Sequence, residues 1–231
     1  MLRLENVTVT QDDFRLAADL TIREGARVAV IGPSGAGKST LLSVIAGFFP
    51  PATGRVLWRD RDLTGLPPGD RPLSILFQDQ NLFPHLTVAE NVGLGIRPDL
   101  RLAPEDRRRV AEALERVGLS GTGDRRPGTL SGGQQSRVAL ARVLLRGRPL
   151  MLLDEPFDAL GPALRAEMLD LVAEIAGAMG ATVLMVSHNP ADALRIAPET
   201  ILVAEGRARP PLATAELLAD PPPALAAYLG K

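Results

Sequence analysis

Gly32-Pro33-Ser34-Gly35-Ala36-Gly37-Lys38-Ser39-Thr40 decides the fold. The apolar run Val28-Ala29-Val30-Ile31 precedes it and reads as a buried strand. Leu41-Leu42-Ser43-Val44-Ile45-Ala46 follows it and reads as a buried helix. This is the strand, G-x-x-x-x-G-K-[ST], helix arrangement of a phosphate-binding loop, in its required context. Gly32, Gly35 and Gly37 let backbone N–H groups turn inward through conformations that side chains forbid. The following helix presents its N-terminus, with free N–H groups and a positive partial charge, to an anion. Lys38 reaches the terminal phosphates as a point charge. The Ser39 hydroxyl suits Mg²⁺, a hard cation that prefers oxygen.

Outward from this loop the chain reads as β-rich up to residue 31, with breaks at Asp12-Asp13 and Glu24-Gly25. Pro50-Pro51-Ala52-Thr53-Gly54 forces a turn, Arg55 to Trp58 is a short strand, and residues 67–72 form a loop. Leu73 to Phe77 is another buried strand, closing on Gln78. From Thr87 to Leu145 the pattern turns helical. Thr87 and Glu90 form a capping box, Pro104 opens a helix to Val117, and Gly118 ends it. From Pro149 strands and helices alternate again: strands at 150–153 and 182–186, helices at 164–178 and 191–196, and an edge strand at 200–203. Leu212, Leu217, Leu218 and Leu225 dock a terminal helix on the core. The expected fold is α/β, with a mostly parallel sheet covered on both faces, an antiparallel N-terminal part and an inserted helical subdomain. The whole chain, 1–231, reads as one unit. Residues 1–86 and 146–231 make the α/β core and 87–145 the helical subdomain.

Composition narrows the function. The 231 residues are 45% hydrophobic and 23% charged, with a formal net charge of −1. Arg107-Arg108-Arg109 is the densest basic run, but Glu105, Asp106, Glu112 and Glu115 surround it, which reads as a solvated helix face. A nucleic-acid partner is therefore not expected. The absence of cysteine excludes disulfides, thiolate metal sites and a cysteine nucleophile. The N-terminus alternates like a strand and lacks a signal peptide's apolar core. No stretch approaches the ~20 apolar residues of a membrane span, so a membrane role must run through a partner.

Two further stretches carry chemistry. Leu150-Met151-Leu152-Leu153 ends in Asp154-Glu155, which places carboxylates at the carboxyl end of a sheet, where ligands of open α/β folds bind. Asp154 is the candidate Mg²⁺ partner, through a water, and Glu155 the candidate general base for an attacking water. Leu130-Ser131-Gly132-Gly133-Gln134 precedes a helix from Gln135 to Leu145. It offers a hydroxyl and free N–H groups to a second phosphate, but no lysine and no metal ligand. Such a half-site fits one that completes the nucleotide site of another copy.

In order along the chain, the loop at 32–40, Gln78, the stretch 130–134, Asp154-Glu155 and His188 resemble the nucleotide-binding subunits of ATP-binding-cassette transporters. The resemblance covers essentially the whole chain. It implies ATP and Mg²⁺ as cofactors and a head-to-tail homodimer, with each ATP held between one copy's phosphate loop and the other's 130–134 signature. It makes Gln78 a hinge residue that contacts Mg²⁺, and His188 the residue that contacts the γ-phosphate and positions Glu155. It also implies membrane permease subunits as partners, a periplasmic substrate-binding protein as an indirect one, and a peripheral location on the cytoplasmic face of the bacterial inner membrane. Residues 67–88, Glu155-Pro156-Phe157 and the compact tail resemble the cassettes of thiamine importers. Iron, sulfate, molybdate, polyamine and sugar cassettes are near relatives. A DNA-acting ATPase of this superfamily would need a long coiled-coil insertion, a translation factor a second cassette, and a small-molecule kinase would lack the signature. Two positions depart from the family pattern. No tyrosine follows the first strand to stack on adenine, and Phe14, the only aromatic there, lies late. The loop after Glu155 carries Asp158 where serine is usual and Gly161 where aspartate is usual.

Overall fold

The computed structural model describes residues 1–79 and 81–229. Strands β1 (Leu2–Gln11) and β2 (Phe14–Ile22) form a hairpin, and β3 (Arg27–Ile31) leads into the phosphate loop and α1 (Lys38–Ala46). Strands β4 (Thr53–Trp58) and β5 (Arg61–Asp62) follow, then β6 (Leu73–Leu76). Helices α2 (Val88–Gly93), α3 (Pro104–Arg116) and α4 (Gly132–Arg146) lie between β6 and β7 (Leu150–Asp154). Helix α5 (Pro162–Met179), β8 (Thr182–Val186), α6 (Pro190–Ile196) and β9 (Glu199–Ala204) come next. The tail carries β10 (Arg207–Ala208), β11 (Leu212–Ala213), α7 (Thr214–Ala219) and α8 (Pro223–Leu229).

These strands join into one curled sheet in the order β5-β4-β1-β2-β10-β9-β3-β8-β7-β6, with β11 on β9. From β9 to β6 every pairing is parallel, and β1, β2, β4 and β5 pair antiparallel. The parallel strands are buried on both faces, as crossover helices require. Their period-2 alternation divides two cores. Val28, Val30, Leu150, Leu152, Leu184, Val186, Ile201 and Val203 face α1 and the N-terminal strands. Ala29, Ile31, Met151, Leu153, Val183, Met185, Leu202 and Ala204 face a second core shared with α3, α4, α5 and α6. Helix α1 is therefore enclosed, which explains why its sequence is apolar almost all round.

The expected capping box at Thr87 and Glu90 is present. Three expectations need correction. The strand at 200–203 is not an edge. It lies between β3 and β10, because a short apolar run does not encode which strands flank it. Leu212 does not dock; it is half exposed in β11, while Leu217 and Leu225 are buried in two separate short helices. Helices α4 and α5 begin earlier than their apolar periodicity, at Gly132 and Pro162, since glycine and proline are tolerated in a first turn.

Arg71 secures the far end of α1. Its side chain is fully buried. Nη1 donates to the Val44 and Ile45 carbonyls at 2.8 Å each, Nε to Leu66 O at 2.9 Å and Nη2 to Thr64 O at 3.1 Å. The last-turn carbonyls of a helix lack internal partners and carry its negative partial charge, so a guanidinium satisfies both. Gly47 ends the helix in the left-handed region at φ 89°, and a Cβ there would overlap Arg71. Arg71→Ala leaves buried carbonyls unpaired and should cost about 3 kcal/mol. The urea midpoint should fall at unchanged m-value, and Arg71→Lys should recover little of it because an ammonium cannot span four carbonyls.

Candidate functional site

Parallel register brings the motifs to one rim. Val30 pairs with Val186, and Val186 pairs with Asp154. The ladder continues past the strand ends: Glu155 N donates to Val186 O at 3.2 Å and Ser187 N to Val30 O at 3.3 Å. Gly32, Glu155 and His188 therefore each lie one or two residues beyond the same rung. This is the carboxyl edge of a parallel sheet, where ligand sites of such folds occur.

The phosphate loop leaves β3 at Gly32, with φ 153°. A Cβ there would overlap the Val203 carbonyl of β9, so only glycine fits. Gly37, at φ 102°, is the N-cap of α1, and a Cβ on it would come within 2.6 Å of the Phe14 ring. Lys38 is buried and its Nζ donates to Gly32 O at 3.0 Å and Pro33 O at 2.9 Å. Burial pulls its ammonium below the usual range, and the Glu155 and Asp154 charges oppose that pull. Gln11, Phe14, Ser34, Gly35, Gly37, Lys38, Ser39, Thr40 and Glu155 line an open cleft of about 370 Å³. Phe14 thus reaches the cleft despite its late position, because the β1–β2 hairpin folds back over the loop.

Ser39 Oγ donates to Asp154 Oδ1 at 3.0 Å. A hydroxyl and a carboxylate at one point make a hard-oxygen donor set, which fits Mg²⁺. Burial raises the Asp154 carboxyl, against the Ser39 hydrogen bond. Glu155 sits in the left-handed region at φ 47°, which turns its side chain off the strand line into the cleft. Its carboxyl is pushed up by burial first, then by its hydrogen bond to Asp158 and the charge there, against His188 and Lys38. Glu155, Asp158 and His188 bring their polar atoms within 4.8 Å of one another. His188 Nδ1 lies 2.7 Å from Asp158 Oδ2.

His188 does not line the cleft but stands at its edge on Asp158, and two further sets of expected residues are not brought to it. Gln78 is exposed in a turn just past β6 and does not line it. The stretch Leu130 to Gln134 lies elsewhere on the same chain. Ser131 caps α4: its Oγ accepts from Gln134 N at 3.3 Å, and Gln134 Oε1 accepts from Ser131 N at 3.1 Å. A Cβ at Gly133 would overlap Leu164 of α5, whereas Gly132 faces open space. Sequence reasoning missed Gln11 and the contacts of Asp158 and Tyr228. Asp158 had a signal, as a departure from the family pattern. Tyr228, the one tyrosine of the chain, had none.

The ABC transporter family model matches residues 17–158. The chain belongs to the ABC transporter family. It is 67% identical to the thiamine import ATP-binding protein ThiQ of Cereibacter sphaeroides over 230 residues, covering all of both chains. The protein of the same name from Ruegeria sp. (strain TM1040) is 60% identical over 230 residues, again covering all of both. That of Brucella suis biovar 1 is 49% identical over all of this chain and 96% of its own. Among solved structures, the dimeric post-hydrolysis state of the ATP-binding cassette MJ0796, bound to ADP and Pi, matches at a TM-score of 0.80 and 32% identity. It covers 93% of this chain and 99% of that one. The fold is that of an ABC ATPase cassette. Gly32→Ala should push β9 from β3 and abolish nucleotide binding, read by isothermal titration with ATP. Gly177→Ala, on α5 away from the cleft and meeting nothing, should leave that titration unchanged.

Proposed function

We propose that this cassette hydrolyses ATP to drive thiamine uptake through a bacterial importer. The observation that carries the thiamine reading is the 67% identity, over both full lengths, to a thiamine import ATP-binding protein. The hydrolytic reading stands on Lys38, Ser39, Asp154 and Glu155 around one cleft. Gly32 to Thr40 wrap the phosphates, Lys38 neutralises their charge, and Glu155 accepts the proton of the attacking water. Ser39 and Asp154 would hold Mg²⁺, and Gln78, which lies away from the cleft in this chain, would have to move to become a further oxygen ligand. When bound, the ion neutralises charge on the phosphate oxygens. His188 contacts the γ-phosphate and orients Glu155.

A lone chain leaves Leu130 to Gln134 away from its own cleft, so the site is completed by a second copy, head to tail. The permease seats in a groove of about 270 Å³ between the end of α1, β6 and α4. Phe48 and Phe83 line it, each nearly half exposed, beside Pro68 and Gly69. Exposed aromatics in a groove are unusual on a monomer and suit a partner's helix. Residues 87–145 act as the helical subdomain that moves with the permease. No helix among the described residues is long and apolar enough to cross a membrane. The likeness to a thiamine import ATP-binding protein supports a peripheral place on the cytoplasmic face of the inner membrane, from which the cassette reaches a periplasmic binding protein only through the permease. No contact with nucleic acid is involved.

Glu155→Gln should keep ATP binding and lose about 10²–10⁴ in hydrolysis rate, because an amide cannot accept the proton. Light scattering of that variant with ATP should show twice the monomer mass, and a persistent monomer would remove the shared site. A strain deleted for the chain and blocked in thiamine synthesis should need far more external thiamine, with no rescue by Lys38→Ala. Intact thiamine uptake in the deletion would sink the substrate assignment and leave the ATPase reading standing.

A further inference from the structure

His188 is held from three sides by groups outside the nucleotide cleft. Its ring is half exposed, but Nδ1 reaches Asp158 Oδ2 at 2.7 Å, and the Asp158 side chain is only 12% exposed. The His188 carbonyl accepts the Tyr228 hydroxyl at 2.6 Å, from α8 at the end of the chain. The preceding residue, Ser187, donates through Oγ to Asp192 Oδ2 at 2.7 Å, at the start of α6. Arg165 of α5 ties these anchors together. Its Nη2 donates to Asp158 O at 2.8 Å and its Nη1 lies 3.9 Å from Asp192 Oδ2. Asp158 is thus a nearly buried carboxylate, fixed by a nearly buried guanidinium, with an oxygen on one ring nitrogen of the histidine.

We propose that Asp158 is a positioning residue for His188, fixing the ring through Nδ1, and that Tyr228 completes the clamp by holding its backbone. This rests on the role given to His188 above. A carboxylate on Nδ1 selects one tautomer and one ring orientation, and leaves Nε2 as the free ring nitrogen. The geometry is available in this chain because the carboxylate stands at position 158, one turn ahead of Gly161. The capping position of α5 itself has no side chain to offer. The tail contributes too: α8 docks through buried Leu225, which sets Tyr228 over the His188 backbone. The C-terminal helix thereby becomes part of the catalytic frame, not merely a cover for the core.

The test is steady-state ATP hydrolysis by the full chain, with kcat and KM determined separately. Asp158→Ala should lower kcat about tenfold and leave KM for ATP within about twofold, since misorientation affects the reacting geometry and not phosphate binding. Asp158→Asn, which keeps an oxygen acceptor for Nδ1, should restore most of the rate. In a His188→Ala background, Asp158→Ala should cost much less than it does in the native chain, because the group it positions is gone and only its contact with Glu155 remains. Tyr228→Phe should show a smaller kcat loss that vanishes in the same background, and it serves as the probe if Asp158→Ala does not fold. Full activity of both Asp158→Ala and Tyr228→Phe, or additive losses with His188→Ala, would overturn the proposal. Full activity of His188→Ala alone would instead overturn the role of His188, and the clamp with it. A loss in His188→Ala without any loss at Asp158 or Tyr228 leaves His188 in its role and removes only the clamp.

Discussion

Enclosure of α1 between the two halves of the sheet is the constraint on which the other features depend. An apolar helix with core on nearly every side has its axis set by packing, and interiors at crystal-like density do not let it drift. Its two ends then acquire fixed directions. The N-terminus faces the cleft with the phosphate loop wrapped on it, and the C-terminus meets Arg71. The guanidinium that satisfies the last carbonyls and the glycines that shape the first turn are two answers to one problem, the unpaired backbone groups of a buried helix.

Register does for the sheet what burial does for the helix. Strands β3, β8 and β7 run parallel and pair without slip, so residues distant in the chain end at one edge. A shift of one residue in β7 would turn Asp154 to the opposite face and exchange Leu152 for Met151 between the two cores. The hydrophobic alternation that separates the cores therefore also protects the chemistry at the rim. Glu155, in a left-handed conformation just past the strand, uses backbone strain to leave the strand line.

Electrostatics at that rim are mixed by design of the fold. Two carboxylates and a buried ammonium converge where burial disfavours every charge. Each is compensated by a neighbour: Ser39 on Asp154, backbone carbonyls on Lys38, His188 and Lys38 near Glu155. The groups around His188 belong to a second network, Arg165, Asp158, Asp192 and Tyr228, which touches the first only through Glu155 and the imidazole.

The sequence by itself determined the phosphate loop, the acids at the end of β7, the presence of helices between β6 and β7 and the capping box of α2. Each of these is a local pattern: a glycine spacing, an apolar run with an acid at its end, a Thr-x-x-Glu box, a proline at a helix start. Local patterns survive any tertiary arrangement because they answer to the backbone's own requirements. Tertiary structure alone decided that the strand at 200–203 is central, that Leu212 stays in water, and that Phe14 reaches the cleft from a hairpin two strands away. It also decided the partners of Asp158 and Tyr228. Their contacts with His188 join residues separated by 30 and 40 positions, and their existence depends on strand order and helix docking, for which a four-residue apolar run or a lone tyrosine carries no address. The stretch Leu130 to Gln134 sits between the two cases. Its glycines beside a helix start were legible, but the helix begins at Gly132 and not Gln135, Ser131 is its cap, and the stretch does not line this chain's own cleft.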